Sequence, residues 1–418
     1  MHTTDYLIAG SSHAALEAIN AIRMHDAAGS ITVITRDPHP PYSPTVLPYV
    51  VSGRSAPERV YLRDAGFFTG NQVDYRAASA LAAVDAGRHV ATLADGSEIG
   101  YRKLLLATGA SPIVPPIPGI DTVEYHVLRT LDDATRLRQA MTRSRRAVVL
   151  GAGLVGMHAA ENLVKAGAEV TIVEMNAQLT SGYFDDTAAG LIEEAFLDNG
   201  ATIRTNSRVV GVQKTDTGVR LLLEGGDGID ADLLLVAVGV RPQLDYLDGS
   251  GVATERGILV DDAMRTNVAD VWAAGDCAQA RGFFSDTPIM NAILPDASIQ
   301  GRIAGMGMAG DPGAKPYQGG LALNTYHFFG RHAISVGNSQ VPEGGDAQVR
   351  FDQDSGRYLR VVFDHDNRLT GIFGVNEFFD AGVMAQLILR KTDLGPVRDR
   401  FMAEPLATGR ALMSNLWR

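Results

Sequence analysis

The 418-residue chain has a single cysteine, Cys277. One thiol excludes an internal disulfide, a Cys-x-x-Cys redox pair and an iron–sulfur cluster held by the chain's own cysteines. It fits a reducing cytosol, and a cytoplasmic location is the expectation. Hydrophobic residues make up 45% of the sequence, yet no apolar run approaches the roughly 18 residues needed to span a membrane. The N-terminus carries Asp5 and no basic lead-in, so no signal peptide is expected. Positive charge is also short. With 37 Lys and Arg against 48 Asp and Glu, the net charge is −11, which argues against nucleic acid and anionic membranes as partners. There is no low-complexity tract. Glycine is plentiful: 45 residues spread along the chain, a pattern that suits many short strand–helix turns. Length and composition together indicate a globular protein of two or three domains.

The stretch RRAVVLGAGLVGMHAAENLVKAGAEVTIVEMN carries the clearest motif. Residues 147–150 read as a compact apolar strand, and Gly151, Gly153 and Gly156 complete G-x-G-x-x-G. A helix is predicted from Leu154 and Val155 through about Lys165, with Gly167 as its C-cap. Each glycine has a cause. Gly151 makes the tight turn, Gly153 lets the backbone approach a pyrophosphate, and Gly156 lets the helix pack close on the strand. The helix N-terminus then offers free N–H groups and a partial positive charge to the phosphates. The next strand, 170–173, ends in Glu174, 23 positions after Gly151. A carboxylate there accepts from both adenosine ribose hydroxyls and repels a 2′-phosphate, which favours NAD(H) over NADP(H).

The opening stretch YLIAGSSHAALEAINAIR copies this layout. An apolar run at 6–9 meets a glycine turn, a helix-like segment covers 14–23, and a strand follows at Ile31–Ile34. The fingerprint positions are Gly10, Ser12 and Ala15. Alanine is a tolerated replacement for the third glycine. Serine is small and can donate to phosphate. The acid is less clear, because Thr35 holds the strand-end position and Asp37 lies two residues further on. Two such units in one chain point to two nucleotide sites.

Three further strands end in small residues that let backbone pass close to a cofactor. They precede Ala107–Thr108–Gly109, Gly239–Val240–Arg241–Pro242 and Gly275–Asp276. An acid such as Asp276 at a strand end can bind a ribityl hydroxyl or, through water, a phosphate. In order and spacing, these strings and the two glycine loops resemble the two-dinucleotide-binding flavoproteins, the pyridine nucleotide–disulfide oxidoreductase class. The resemblance implies an α/β fold with two Rossmann-like domains. A split FAD domain would cover 1–115 and 245–318, an inserted NAD domain 116–244, and a C-terminal α+β interface domain 319–418. It implies FAD on the first unit, against Gly10, Ser12, His13, Ala14 and Asp37, with Ser43 and Pro48 from the following loop. Ala107, Thr108 and Gly109 would complete that site with Gly275, Asp276 and Ala297. It implies NAD(H) against Gly151, Gly153, Leu154, Val155, Gly156, Glu174 and Gly239. A helix from about Ala297 would aim its N-terminus at the flavin's C2 carbonyl. Cys277, beside Asp276, reads as a small buried side chain.

The departures from the family are informative. In relatives that reduce disulfides or peroxide, a cysteine faces the flavin. The matching residue in DPHPPYSPTVLPYVVSGR is Thr45, so thiol chemistry is excluded there. Pro44 and Tyr49 fall where the ferredoxin-reductase branch carries arginine and lysine, and Arg54 is a substitute cation or a surface residue. His158 stands where many relatives carry a glutamate near the nicotinamide; it can titrate near neutral pH or simply pack. His13 is not expected to be a catalytic base. Hydride transfer between flavin and nicotinamide needs stacked rings and exclusion of water rather than an acid or base. With the thiol route gone, the implied electron partner is an iron–sulfur protein or subunit. AGSSHAALEA and PYSPTVLPYVVSG are also similar to the flavin subunits of the phenylglyoxylate dehydrogenase family, multi-subunit 2-oxoacid:acceptor complexes of aromatic degradation. There, thiamine diphosphate and the clusters lie in other subunits, and this chain has ligands for neither. Two alternatives remain open: a free-standing rubredoxin- or ferredoxin-type reductase, and a flavin-binding scaffold or redox sensor without turnover.

Overall fold

A computed structural model describes residues 2–285 and 287–416. The first unit is a seven-stranded sheet with a parallel centre. His2–Ala9 lies between Ile31–Ile34 and Glu98–Leu106, pairing Leu7 with Thr32 on one side and Leu104 on the other. After a long excursion the chain returns, and Val271–Ala273 joins the same sheet in parallel beside Leu104–Leu106. The buried runs of these strands suit a parallel sheet covered on both faces.

The excursion builds a second unit. Its four parallel strands are ordered Thr202–Arg204, Glu169–Val173, Arg146–Leu150 and Leu233–Val236. An antiparallel meander, Val209–Thr215, Gly218–Leu223 and Gly228–Ala231, adjoins them. The chain leaves the first unit through Ser111–Pro112 and comes back through Val240–Arg241. These two connectors pair antiparallel, Ser111 with Arg241. The third unit is a five-stranded antiparallel sheet over residues 323–375, backed by the helix Ala381–Leu389.

The helix after the first glycine loop, His13–His25, packs on Leu294–Ala309 at backbone distance. A Cβ on Gly301 would lie 2.1 Å from the Ala14 carbonyl oxygen, and one on Gly305 2.5 Å from that of Ala18. Glycine four residues apart on one helix therefore sets the crossing. The predicted start of this second helix, about Ala297, falls three residues late; it begins at Leu294. Pro295 sits in the first turn, where its missing N–H costs no intrahelical bond.

Among the described residues, no helix is long and apolar enough to cross a membrane.

Candidate active site

Side-chain caps divide the longer helices. Leu131–Met141 has a full capping box between Thr130 and Asp133. Asp185 caps Asp186–Asp198, and Asp380 caps Ala381–Leu389. The N-cap residues of His13–His25 and Leu154–Lys165, Ser12 and Gly153, make no side-chain cap bond; neither does Ile293 before Leu294–Ala309. Three long helices thus leave first-turn N–H groups unmet, an arrangement that suits a bound anion or carbonyl.

The first of these ends opens on a cleft of about 320 Å³. Gly10, Ser12, Asp37, Ala107, Thr108 and Gly109 line it directly. Gly10 has φ +121°, and a Cβ there would lie 2.0 Å from the Ala107 carbonyl oxygen, so the turn accepts no side chain. Asp37 faces the cleft while accepting from Tyr42 Oη at 2.5 Å and the His39 amide at 3.0 Å. Thr35 also lines the cleft, largely buried.

The remaining residues expected at the first site, His13, Ala14, Ser43, Pro48, Gly275, Asp276 and Ala297, are not among those that line this cleft. His13 Nε2 meets Ser43 Oγ at 2.9 Å, and burial holds the imidazole's pKa below its ordinary value. Ala14 is buried under Gly301, so its contribution is to packing. Gly275, φ +79°, packs between Ala14 and Ala297 and donates its amide to Gln300 Oε1 at 2.8 Å. The Pro48 carbonyl accepts from Asn162 of the second-loop helix at 3.0 Å, tying the two units together. Cys277 is fully buried, its thiol donating to the Leu106 carbonyl at 3.3 Å.

The second cleft, about 850 Å³, is lined by Gly151, Gly153, Leu154, Val155, Glu174 and Gly239. A Cβ on Gly153 would meet no atom within 4 Å; the space above it is open. Gly156 lies beneath, where a Cβ would come within 2.1 Å of the Gly151 carbonyl oxygen. Glu174 is 8% exposed. One of its oxygens accepts from the Ala152 amide at 2.8 Å, and the other from the Asn176 amide and side chain at 2.9 and 2.8 Å. In this geometry the carboxylate braces the glycine loop itself. His158 lines neither cleft. Its ring meets Tyr326 edge to face at 4.7 Å, and burial lowers its pKa, which keeps the ring neutral at pH 7.

Sequence reasoning missed Arg129, which lines both clefts. Its Nη2 lies 2.6 Å from Asp276 Oδ2, and its Nε donates to the Ala110 carbonyl at 3.1 Å. No local motif marks it, since its ion partner is 147 residues away. Arg36 and Tyr246 were also missed. They line the first cleft and bond Ser111 Oγ at 3.0 Å and Thr108 Oγ1 at 2.8 Å. Arg36 had a signal, because it directly follows the strand-end residue Thr35.

Asp296, in the first turn of Leu294–Ala309, is 5% exposed and accepts from Asn291. Burial pushes its pKa up to about 6. An unfolded chain ionises it near 4, so the native state holds more protons between pH 4 and 6. Stability from this group therefore falls as pH rises through that window and is flat above it. Asp296→Asn is expected to be more stable than the parent by about 1–3 kcal/mol at pH 7.5. The gap should close below pH 4, as read by urea unfolding at several pH values.

The model for the pyridine nucleotide-disulphide oxidoreductase family matches residues 4–299. Over 415 residues, the sequence is 69% identical to the NADH-dependent phenylglyoxylate dehydrogenase subunit epsilon of Aromatoleum evansii, covering 99% of this chain and 98% of that one. It is 29% identical over 306 residues to a rubredoxin-NAD(+) reductase of Pseudomonas putida, covering 73% of this chain and 80% of that one. In fold it resembles a chain of the covalent putidaredoxin reductase–putidaredoxin complex, with a TM-score of 0.85 over 94% of each chain at 23% identity.

Proposed function

Because the chain belongs to the pyridine nucleotide-disulphide oxidoreductase family, we propose that its first cleft holds FAD and its second NAD(H), with electrons leaving or entering through an iron–sulfur partner. It is an NAD(H)-dependent flavoprotein oxidoreductase. The observation that carries the assignment is the pair of uncapped helix ends at two clefts that share Arg129. FAD supplies the exchange between a two-electron hydride and single electrons. The chain's residues supply position. Ser12 offers its backbone N–H to one pyrophosphate and Gly153 to the other, while the Gly10 and Gly151 amides, bonded to the Ile34 and Val173 carbonyls, hold the turns. Asp37, which lines the first cleft, accepts from the first ribose. The third uncapped helix, Leu294–Ala309, offers its positive end to the developing charge on a flavin ring.

The 69% identity over nearly the full length supports a finer reading. The chain acts as the NADH-linked flavin subunit of a 2-oxoacid dehydrogenase complex, taking electrons that other subunits draw from an aryl 2-oxoacid and delivering them to NAD⁺. A reducing cytosol suits this role and the lone buried thiol. The similarity to a rubredoxin-NAD(+) reductase supports the rival, a free-standing reductase.

Affinity purification from the native host should bring down iron-containing partners together with a thiamine-dependent subunit. Recovery of the chain alone, with full turnover against a small ferredoxin, would favour the rival. In either case NADH should bleach the bound flavin under anaerobic conditions. A flavin that stays yellow would defeat both readings and leave a binding scaffold.

A further inference from the structure

Residues 41–48 run along the wall of the first cleft toward the second unit. Tyr42 bonds Asp37, Ser43 bonds His13, and the Pro48 carbonyl accepts from Asn162. Thr45 lies between Pro44, which lines the first cleft, and Pro48, which meets the second unit. Its Oγ1 lies 2.8 Å from Ser43 Oγ, which lies 2.9 Å from His13 Nε2. Ser43 is 4% exposed, whereas Thr45 is exposed and His13 half-buried. An imidazole, a buried hydroxyl and an exposed hydroxyl thus form an unbroken line. Nothing in hydride transfer uses it.

Single-electron chemistry does need such a line. Two reduced iron–sulfur centres each lose one electron, and the oxidised flavin gains both. One proton must then join its N5, and the N5–H bond later breaks as hydride passes to nicotinamide C4. In sum, two reduced centres, NAD⁺ and one proton give two oxidised centres and NADH. Hydride carries its own proton; electrons from clusters do not.

We infer that His13, Ser43 and Thr45 relay this proton between solvent and the flavin. The inference rests on the reading of the chain as a link between NAD(H) and an iron–sulfur partner. A neutral imidazole serves, because it takes a proton at Nδ1 while its Nε2–H leaves for Ser43. Ser43 passes its own proton to Thr45, and Thr45 passes on the last. The charges facing His13 come from three elements: Glu17 on its own helix, Asp276 at the strand end and Arg63 in the following loop. The two acids oppose the effect of burial, and the arginine adds to it.

The test uses the flavin-loaded protein and two reductants, NADH for hydride and the sulfur dioxide radical anion for single electrons. In Ser43→Ala, flavin reduction by the radical should slow at least about tenfold more than reduction by NADH. Ser43→Thr, which keeps a hydroxyl, should restore it. Nitrogen NMR of labelled histidine supplies a second readout, with His13 assigned by its loss in His13→Gln. Flavin reduction should move the His13 Nε2 resonance in the parent and leave it in place in Ser43→Ala. Equal slowing of both reductions, or a His13 resonance indifferent to flavin redox state, overturns the relay. A parent flavin that NADH cannot reduce overturns the functional reading itself, whatever the serine variants do.

Discussion

Gly153→Ala should fold as the parent does, keep its flavin, and bind NADH about 10- to 100-fold more weakly. The two expectations have separate causes. Gly153 has φ −72° and ψ 174°, extended backbone open to any residue, and an added methyl would meet no protein atom within 4 Å. Nothing in the fold resists it. The methyl would instead occupy the open space above the loop, beside the unmet N–H groups of Leu154–Lys165, where a pyrophosphate has to approach. Gly151→Ala is the contrasting variant. There φ is +101° and the new Cβ would sit 2.5 Å from the Ala237 carbonyl oxygen, so the cost is structural, about 1–3 kcal/mol. Thermal unfolding without nucleotide should single out Gly151→Ala, and fluorescence titration with NADH should single out Gly153→Ala. Unchanged NADH affinity in Gly153→Ala would remove the second cleft from the nucleotide assignment.

The parts legible in the sequence are those that local geometry dictates. Gly10 and Gly151 sit at left-handed φ between a strand and a helix, a constraint that only glycine relieves cheaply, so it appears as a letter at a fixed spacing. The strands Ile31–Ile34 and Val271–Ala273 announce themselves as short apolar runs before a turn. Glu174 was found for the same reason, but its present partners, Ala152 and Asn176, depend on how the loop folds back over the strand end. His13 read as a cofactor-loop residue and not as a base, because its partner Ser43 is 30 positions away. Ala14 and Gly301 face each other across a helix crossing that no single segment encodes. Whatever two distant segments create together leaves no period and no motif in either, which is why the polar line from His13 to Thr45 and the arginine between the clefts surfaced only in three dimensions.

That arginine should show the largest loss of stability and cofactor together. Arg129→Met removes the guanidinium from Asp276, whose side chain is 16% exposed, and from the Ala110 carbonyl. The carboxylate would be left without its ion partner next to the Gly275 turn, and the segment after Gly109 would lose its tether. Breaking a largely buried pair from one side costs more than the pair itself contributes, because the remaining charge stays desolvated. We expect a loss of about 2–4 kcal/mol, with flavin released on gel filtration because Ala107, Thr108 and Gly109 line its cleft. NADH affinity should fall as well, since the same side chain borders the second cleft. Asp276→Asn keeps a hydrogen-bond acceptor toward Arg129 and should cost less. The double variant separates the electrostatic share from the rest. If the stranded carboxylate dominates, Arg129→Met with Asp276→Asn will be more stable than Arg129→Met alone, despite carrying one more substitution. If the two losses simply add, the tether to Ala110 is the larger contribution, and the connector between the units, rather than the ion pair, fixes the spacing of the two clefts.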